Sequence, residues 1–204
     1  MEYSVRTTRW LDEDEFVQLY KWLECPDVPV HPPYLRAVRI LMLTGQRVEE
    51  KALLHVDQWD ADERILDWPK TKNGKPHSLP VPDLAADLLE SIKPNEHGWF
   101  FPSAMDPTRP VSAGTLYAFM WRQRGRGVIP VVTNRDLRRT WKTLAGKAGV
   151  PKEIRDRLQN HTLQDVSSKH YDRWQYMPEK REGMKKWNAF VTALLASKER
   201  KMAA

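Results

Sequence analysis

The stretch at residues 132–143 reads "VTNRDLRRTWKT" and combines helix-forming residues with a dense positive charge. Arg135 and Arg138 are three residues apart, so a helix places both side chains on one face. Like charges in this arrangement repel each other unless an anion lies between them. Asn134 is a suitable residue for a helix start. The stretch therefore predicts a helix that presents arginines to an anionic ligand near its first turn.

Apolar residues recur at helical spacing on both sides of this stretch. A shorter region between residues 55 and 82 has extended segments separated by turn residues, and Asn73-Gly74 is a strong signal for a type I′ hairpin. This order predicts an α+β fold, mostly helical with a small three-stranded antiparallel sheet. The predicted helices lie at 11–24, 34–45, 48–54, 83–92, 112–124, 134–149, 151–160 and 178–198, and the extended segments at 55–60, 64–72 and 75–82.

Charge is distributed unevenly along the 204 residues. The first hundred residues hold 12 Lys and Arg against 18 Asp and Glu, whereas the remainder hold 21 against 9. A basic half of this kind indicates an acidic polymer as partner, although a protein with uneven surface charge has the same composition. There is no secretory signal and no apolar run that would span a membrane. A single cysteine, Cys25, excludes internal disulfides and a cysteine-rich zinc site, which fits the reducing cytoplasm.

Polar residues at the ends of predicted elements are the candidates for chemistry. Arg47 follows the helix-ending Gly45, and Lys72 precedes the hairpin turn, with Lys70 and Lys75 as competitors. Taken singly, a surface arginine and an exposed hairpin lysine are the simpler interpretations. The sequence has neither a glycine-rich phosphate loop nor an HExxH motif, so no cofactor and no metal are expected.

Two further candidates lie in "LQNHTLQDVSSKHYDRWQY", where His161 follows a helix end and Tyr171 comes ten residues later. A tyrosine, whose unperturbed pKa is about 10, is an unusual nucleophile, but cations around a phosphodiester make it plausible. Taken alone, His161 could equally be a capping histidine, and Tyr171 could equally be a half-buried aromatic.

Taken in order, these segments resemble the catalytic domain of the tyrosine recombinases, the phage-type integrases. "LTGQRVEEKALL" resembles the first arginine box of that family, "KTKNGKPHSLPVP" its lysine-bearing hairpin and "NRDLRRTW" its second box. "LQNHTLQDVSSKHYDRWQY" is similar to the third box, which carries the nucleophilic tyrosine. The resemblance extends over about residues 8–195 and implies site-specific recombination by DNA cleavage and rejoining, without metal or ATP.

The resemblance also implies a role for each residue. Arg47 and Arg138 would hold the non-bridging oxygens of the scissile phosphate, and His161 would donate a third hydrogen bond. Lys72 would protonate the leaving 5′ oxygen, and Tyr171 would attack phosphorus to give a 3′-phosphotyrosine. Arg135 and Arg139, which flank Arg138, are expected to bind DNA phosphates.

The sequence departs from the family pattern in two ways. Arg135 stands where the family usually has histidine, and it can donate to a phosphate but cannot accept a proton. The spacing from His161 to Tyr171 is one residue longer than the family's, which leaves Tyr176 as a competing nucleophile and His170 as a further residue near the site. Alternative functions are therefore a DNA-binding relative with impaired catalysis and a DNA-relaxing enzyme of the type IB topoisomerase kind.

The domain organisation follows from the same resemblance. Residues 1–204 are expected to form one catalytic domain, with the core-binding and arm-binding domains of such integrases absent and the chain a fragment of a longer protein. The partner is expected to be double-stranded attachment-site DNA at the bacterial nucleoid. The protein is expected to form a tetramer on DNA and to be monomeric or weakly associating without DNA. The apolar stripe of the last helix could dock on a neighbouring protomer or pack on its own domain; it consists of Met184, Trp187, Phe190, Val191 and Leu194.

Overall fold

The computed structural model describes residues 9–71, 74–161 and 175–203, without the side chains of residues 50, 51 and 198–203. The described residues form an α+β fold in which helices surround a small antiparallel sheet, as predicted. No helix in these ranges is long and apolar enough to cross a membrane. The elements are α1 (Glu13–Glu24), α2 (Pro32–Thr44), α3 (Val48–Ala52), a 3₁₀ turn (Val56–Gln58), β1 (Trp59–Asp60), β2 (Ile65–Trp68), β3 (His77–Pro80), α4 (Asp83–Glu90), α5 (Ala113–Gly125), α6 (Asn134–Lys147), α7 (Lys152–Leu158) and α8 (Met177–Ala203).

Helix α2 forms the centre of the molecule. Nine of its thirteen residues are buried, and it packs against α1, α4 and α6. Proline in its first turn costs no hydrogen bond, because the first backbone N–H groups of a helix have no partner within it. The helix ends at Gly45, which takes the left-handed conformation with φ 63°. This glycine begins the turn that leads to Arg47.

The sheet has the order β1-β2-β3, and both strand pairs are antiparallel. Leu66 pairs with Leu79, and both are buried, whereas Asp67 between the buried Leu66 and Trp68 faces outward. This alternation turns one face of the sheet toward the core. The sheet is thus joined to the core through one face, and Lys72, which falls between β2 and β3 in the sequence, lies outside the described residues.

One detail of the sequence prediction is wrong at an element boundary. Residues 56–58, predicted as extended, form a 3₁₀ turn, because the His55 side chain accepts from the Asp57 backbone N–H and Gln58 closes a capping box. Helix α6 begins at Asn134, as predicted, and Thr133 is its cap, which forms a capping box with Asp136.

Helix α8 packs on its own domain. Met184, Trp187 and Val191 are buried, and the indole nitrogens of Trp187 and Trp141 both donate to the Leu43 carbonyl oxygen, at 2.8 and 3.2 Å. This decides between the two interpretations of the apolar stripe for the described residues. One backbone carbonyl at the end of α2 therefore joins helices from three parts of the chain.

Candidate active site

The α2–α3 turn, the start of α6 and the end of α7 together enclose a polar cavity of about 270 Å³. Arg47, Arg135, Arg138 and His161 lie in its wall, although 114 residues separate the first from the last. The full lining consists of Gln46, Arg47, Val48, Glu49, Tyr117, Asn134, Arg135, Arg138 and His161. Three guanidinium groups around one cavity favour the binding of an anion, because their charge persists at any working pH.

Gly45 directly precedes Gln46 of the cavity lining and has a structural role there. A Cβ atom at this position would lie 2.5 Å from the Trp141 ring, and its positive φ is unfavourable for other residues. Its carbonyl oxygen accepts hydrogen bonds from Arg138 Nη1 at 2.9 Å and from Gln159 Nε2 at 3.1 Å. The same turn thus places Arg47 and orients the guanidinium of Arg138.

Arg138 is held on both sides. Besides the bond to Gly45, its Nη2 donates to the Gln159 carbonyl oxygen, and Gln159 Nε2 donates back to the Arg138 carbonyl oxygen at 2.9 Å. Gln159 is almost completely buried, so this arrangement links α6 firmly to the end of α7. A guanidinium fixed in this way loses little side-chain entropy when an anion binds.

His161 is positioned by a partly buried ion pair. Its Nδ1 lies 3.2 Å from Asp156 Oδ1 and 3.3 Å from Lys142 Nζ, and Lys142 is itself paired with Asp156. Lys152 Nζ lies 3.3 Å from the other carboxylate oxygen. Burial and the charges of Arg138 and Lys142 hold the pKa of His161 below its ordinary value, although Asp156 opposes them. The imidazole is therefore harder to protonate than a histidine side chain in water.

Two protonation patterns satisfy this cluster. In one, Nδ1–H donates to Asp156 and leaves Nε2 as an acceptor; in the other, Lys142 donates to Nδ1 and leaves Nε2–H as a donor. An anion in the cavity favours the donor pattern and raises the pKa of the imidazole, because opposite charges attract. His161 can therefore change from acceptor to donor when an anion enters.

The β2–β3 hairpin is tied to the same region by Asn160. Its Nδ2 donates to Thr71 Oγ1 at 3.0 Å, and Thr71 Oγ1 donates to the Lys75 carbonyl oxygen at 2.8 Å. Asn160 takes a positive φ of 50°, a conformation that asparagine tolerates better than most residues. The residue before Lys72 is thus bonded to the residue before His161.

The predicted site residues fall into three groups. Arg47, Arg135, Arg138 and His161 are brought together in the cavity. Arg139 points outside it and pairs with Asp136 at 2.8 Å, so its predicted phosphate contact would lie elsewhere on the surface. Lys72, His170 and Tyr171 lie outside the described residues, and their predicted roles remain predictions.

The competing residues named from the sequence lie away from the cavity. Tyr176 lies beneath the guanidinium of Arg157, whose central carbon is 3.4 Å from the ring centre. Lys70 and Lys75 are exposed on the hairpin and do not belong to the cavity lining. Among the described tyrosines, the lining instead includes Tyr117, whose pKa is raised by burial and by Glu49 against the effect of Arg135.

Sequence reasoning did not consider Glu49 and Tyr117, which line the cavity, or Lys142 and Asp156, which contact His161. A helical projection offers a partial signal, because Lys142 lies one turn beyond Arg138 and on the same face. The proximity of Asp156 to His161 depends on the turn at the end of α7, which the sequence pattern does not specify.

Helices around a three-stranded antiparallel sheet, with arginines and a histidine in one cavity, define the fold of the tyrosine recombinase catalytic domain. The chain belongs to the phage integrase family, whose family model matches residues 9–176.

Relatives of known name support this assignment. The chain is 28% identical over 156 residues to the prophage integrase IntA of Escherichia coli (strain K12), covering 74% of this chain and 37% of the relative. An integrase from mycobacterium phage Brujita superposes with a TM-score of 0.70 at 19% identity, covering 96% of this chain and 64% of that one. A lambda integrase (75–356) dimer bound to a COC′ core site gives a TM-score of 0.62 at 19% identity, covering 85% and 63%. The chain thus spans little more than a third of the curated relative's length, and the structural likenesses establish the fold.

Proposed function

We propose that this chain is the catalytic domain of a site-specific DNA recombinase that cleaves and rejoins DNA through a 3′-phosphotyrosine. The observation that carries the proposal is the convergence of Arg47, Arg138 and His161 on one cavity. These are the residues that, by family resemblance, would hold the scissile phosphate. The lambda relative is described as bound to a core site, which supports double-stranded DNA as the ligand here.

The cavity suits a phosphodiester in charge and geometry. The planar fork of arginine matches two phosphate oxygens, and fixed donors stabilise the additional charge that develops in the transition state. Arg138 is pre-oriented by two carbonyl oxygens, so it need not reorganise when DNA binds. Loss of one such donor typically costs about 10²–10³-fold in rate.

In the proposed reaction, the Tyr171 oxygen bonds to phosphorus as the bond from phosphorus to the 5′ oxygen breaks. Lys72 gives its proton to the leaving 5′ oxygen, and the phenolic proton of Tyr171 passes to a base. Arg135 cannot accept that proton. Glu49, a carboxylate of the described lining, can accept it, since His161 is a donor once the phosphate is bound, and catalysis therefore stays feasible despite Arg135.

The domain and assembly proposals rest on the length comparison. The chain covers 37% of the curated relative, so we propose that residues 1–204 act as the catalytic part of a longer integrase. DNA-binding domains outside this chain would then supply most of the affinity for the attachment site. Tetramer assembly on DNA, and action on the bacterial nucleoid, belong to the same proposal.

A nicked-duplex trapping assay tests the function. In a pool of nicked duplexes with random flanks, the short 5′-hydroxyl fragment released by cleavage diffuses away and leaves the protein covalently attached. The adduct should form with the unchanged chain and with Tyr176→Phe, and should be absent with Tyr171→Phe. A covalent adduct that persists in Tyr171→Phe would refute the assignment of the nucleophile.

A matched arginine pair tests the cavity. Arg138→Lys should slow adduct formation by about 10²-fold or more, because lysine replaces a bidentate fork with a single point charge. Arg139→Lys makes the same substitution one residue away, outside the cavity, and should change the rate less than threefold. Equal effects of the two substitutions would show that the cavity is not where the phosphate reacts. Plasmid relaxation that is independent of DNA sequence would instead indicate a topoisomerase.

A further inference from the structure

A second cavity, of about 420 Å³, adjoins the arginine cavity between α5 and the segment that leads into α6. Tyr117 and Asn134 belong to the lining of both cavities and so form their common wall. The remaining lining is mainly apolar and includes Met120, Trp121 and Val132. An apolar space next to an anion-binding space is the shape expected for a ligand with a charged end and a flat, uncharged end.

Asn134 is the unusual residue of this wall. Its side chain is 3% exposed, yet neither Oδ1 nor Nδ2 has a hydrogen-bond partner. Buried amides are nearly always paired, since burying one without a partner is costly. The capping role that the sequence suggested for it is filled by Thr133. Both amide atoms are closed off from solvent in the wall that the two cavities share, and a rotation of the side chain would present them to a ligand with one donor and one acceptor side by side.

The part of the lining that α5 contributes to the second cavity offers stacking surface and positive charge. Trp121 is 64% exposed although it is an aromatic residue of a core-packed helix, and Tyr117 is 38% exposed. Arg124 lies one turn beyond Trp121 in the same lining. Exposed aromatic rings next to arginine are the features with which proteins hold unstacked nucleobases.

We propose that the second cavity binds one unstacked nucleobase adjacent to the phosphate in the arginine cavity, with Asn134 reading its edge and Trp121 stacking on its face. The inference rests on the proposed function, since it assumes that the first cavity holds a DNA phosphate. Adenine is the best match, because its N6 and N7 present the donor and acceptor that a carboxamide pairs with. Unstacking a base costs little where the duplex is already interrupted by a nick.

Binding of two small probes separates the base from the phosphate. 2′-Deoxyadenosine 5′-monophosphate and 2-deoxyribose 5-phosphate share a phosphate and a sugar, and only the first has a base. Both would be titrated into the chain and followed by NMR at the tryptophan indole signals, with the Trp121 signal assigned by its loss in Trp121→Ala. The unchanged chain should bind the nucleotide about 10-fold more tightly than the sugar phosphate.

Variants then assign the preference to its residues. Asn134→Leu keeps the side-chain shape and should reduce the ratio of the two affinities severalfold. Trp121→Ala should bring the ratio close to one. Trp10→Ala removes another exposed tryptophan, 44% exposed near the end of α6, and should leave the ratio unchanged. Circular dichroism would establish that each variant is folded.

Two results would overturn the inference. One is equal affinity of the unchanged chain for the two probes. The other is that Trp121→Ala self-associates less than the unchanged chain in sedimentation, while the ratio of the nucleotide and sugar phosphate affinities stays the same. That result would make the cavity an interface between copies of the chain. Failure of the proposed function is a separate result: the nucleotide preference would be present, but the nicked duplex would yield no Tyr171-dependent adduct.

Discussion

The substitution Asn134→Leu should make the protein more stable. The two side chains have nearly the same shape, and the change removes a buried amide that has no hydrogen-bond partner in the protein. An unsatisfied buried polar group costs about 1–3 kcal/mol. Leucine is also a better helix former than asparagine, by a few tenths of a kcal/mol. We therefore expect the free energy of unfolding to rise by about 1–3 kcal/mol.

Urea unfolding followed by circular dichroism measures this change. Asn188→Leu is the matched control, because the Asn188 amide is paired on both sides: Oδ1 accepts from the Leu84 backbone N–H at 3.0 Å, and Nδ2 donates to Asp83 Oδ2 at 3.2 Å. Each lost bond costs about 0.5–1.5 kcal/mol, so the control should be destabilised. A loss of stability in Asn134→Leu as large as that in Asn188→Leu would refute the reasoning, because it would mean that the Asn134 amide is satisfied in the folded protein.

Four further predictions concern the support of the site. Gly45→Ala should lose about 2–5 kcal/mol in urea unfolding, from left-handed strain plus the contact with an indole ring, whereas Gly149→Ala, with positive φ and open space, should lose only about 1–2 kcal/mol. Trp187→Ala should lose about 3–5 kcal/mol in the same assay, and a loss below 1 kcal/mol would contradict its burial. Burial raises the pKa of Asp156, but its bonds with cations lower it overall, from 3.8. The stability that Asp156→Asn removes should therefore be present above about pH 4 and fade as the pH falls through the lowered pKa, which acid titration of both proteins would reveal. Arg135→Ala should reduce the salt dependence of DNA binding by about one unit of slope, and an unchanged slope would place this arginine away from the phosphates.

The sequence predicted the helical framework because its signals are local. The acidic first turn of α1 and the glycine that ends α2 act within a few residues of themselves, and both helices formed where expected. The assignment of Arg47, Arg135, Arg138 and His161 to one site came from family resemblance, since no local rule brings residues 47 and 161 together. The structure places them around one cavity, while their chemical roles remain to be tested.

What the sequence did not predict depends on contacts between distant segments. Asn134 was predicted at the start of α6, where it lies, but the local pattern gives no sign that its amide is buried in a cavity wall. Asp156 and Lys142 could not be connected with His161, because their meeting requires α6 and α7 to pack against each other. Such positions are set by tertiary packing, which the pattern of residues within one helix does not predict.

The carbonyl of Leu43 has a consequence for incomplete chains. Trp187, near the middle of the last helix, binds a backbone oxygen only two residues before Gly45, on which the orientation of Arg138 depends. A polypeptide that lacks Trp187, through a nonsense mutation or proteolysis, would lose this support for the turn that orients Arg138. A helix that contributes no residue to the described lining of the arginine cavity would thus be required for the geometry of that cavity.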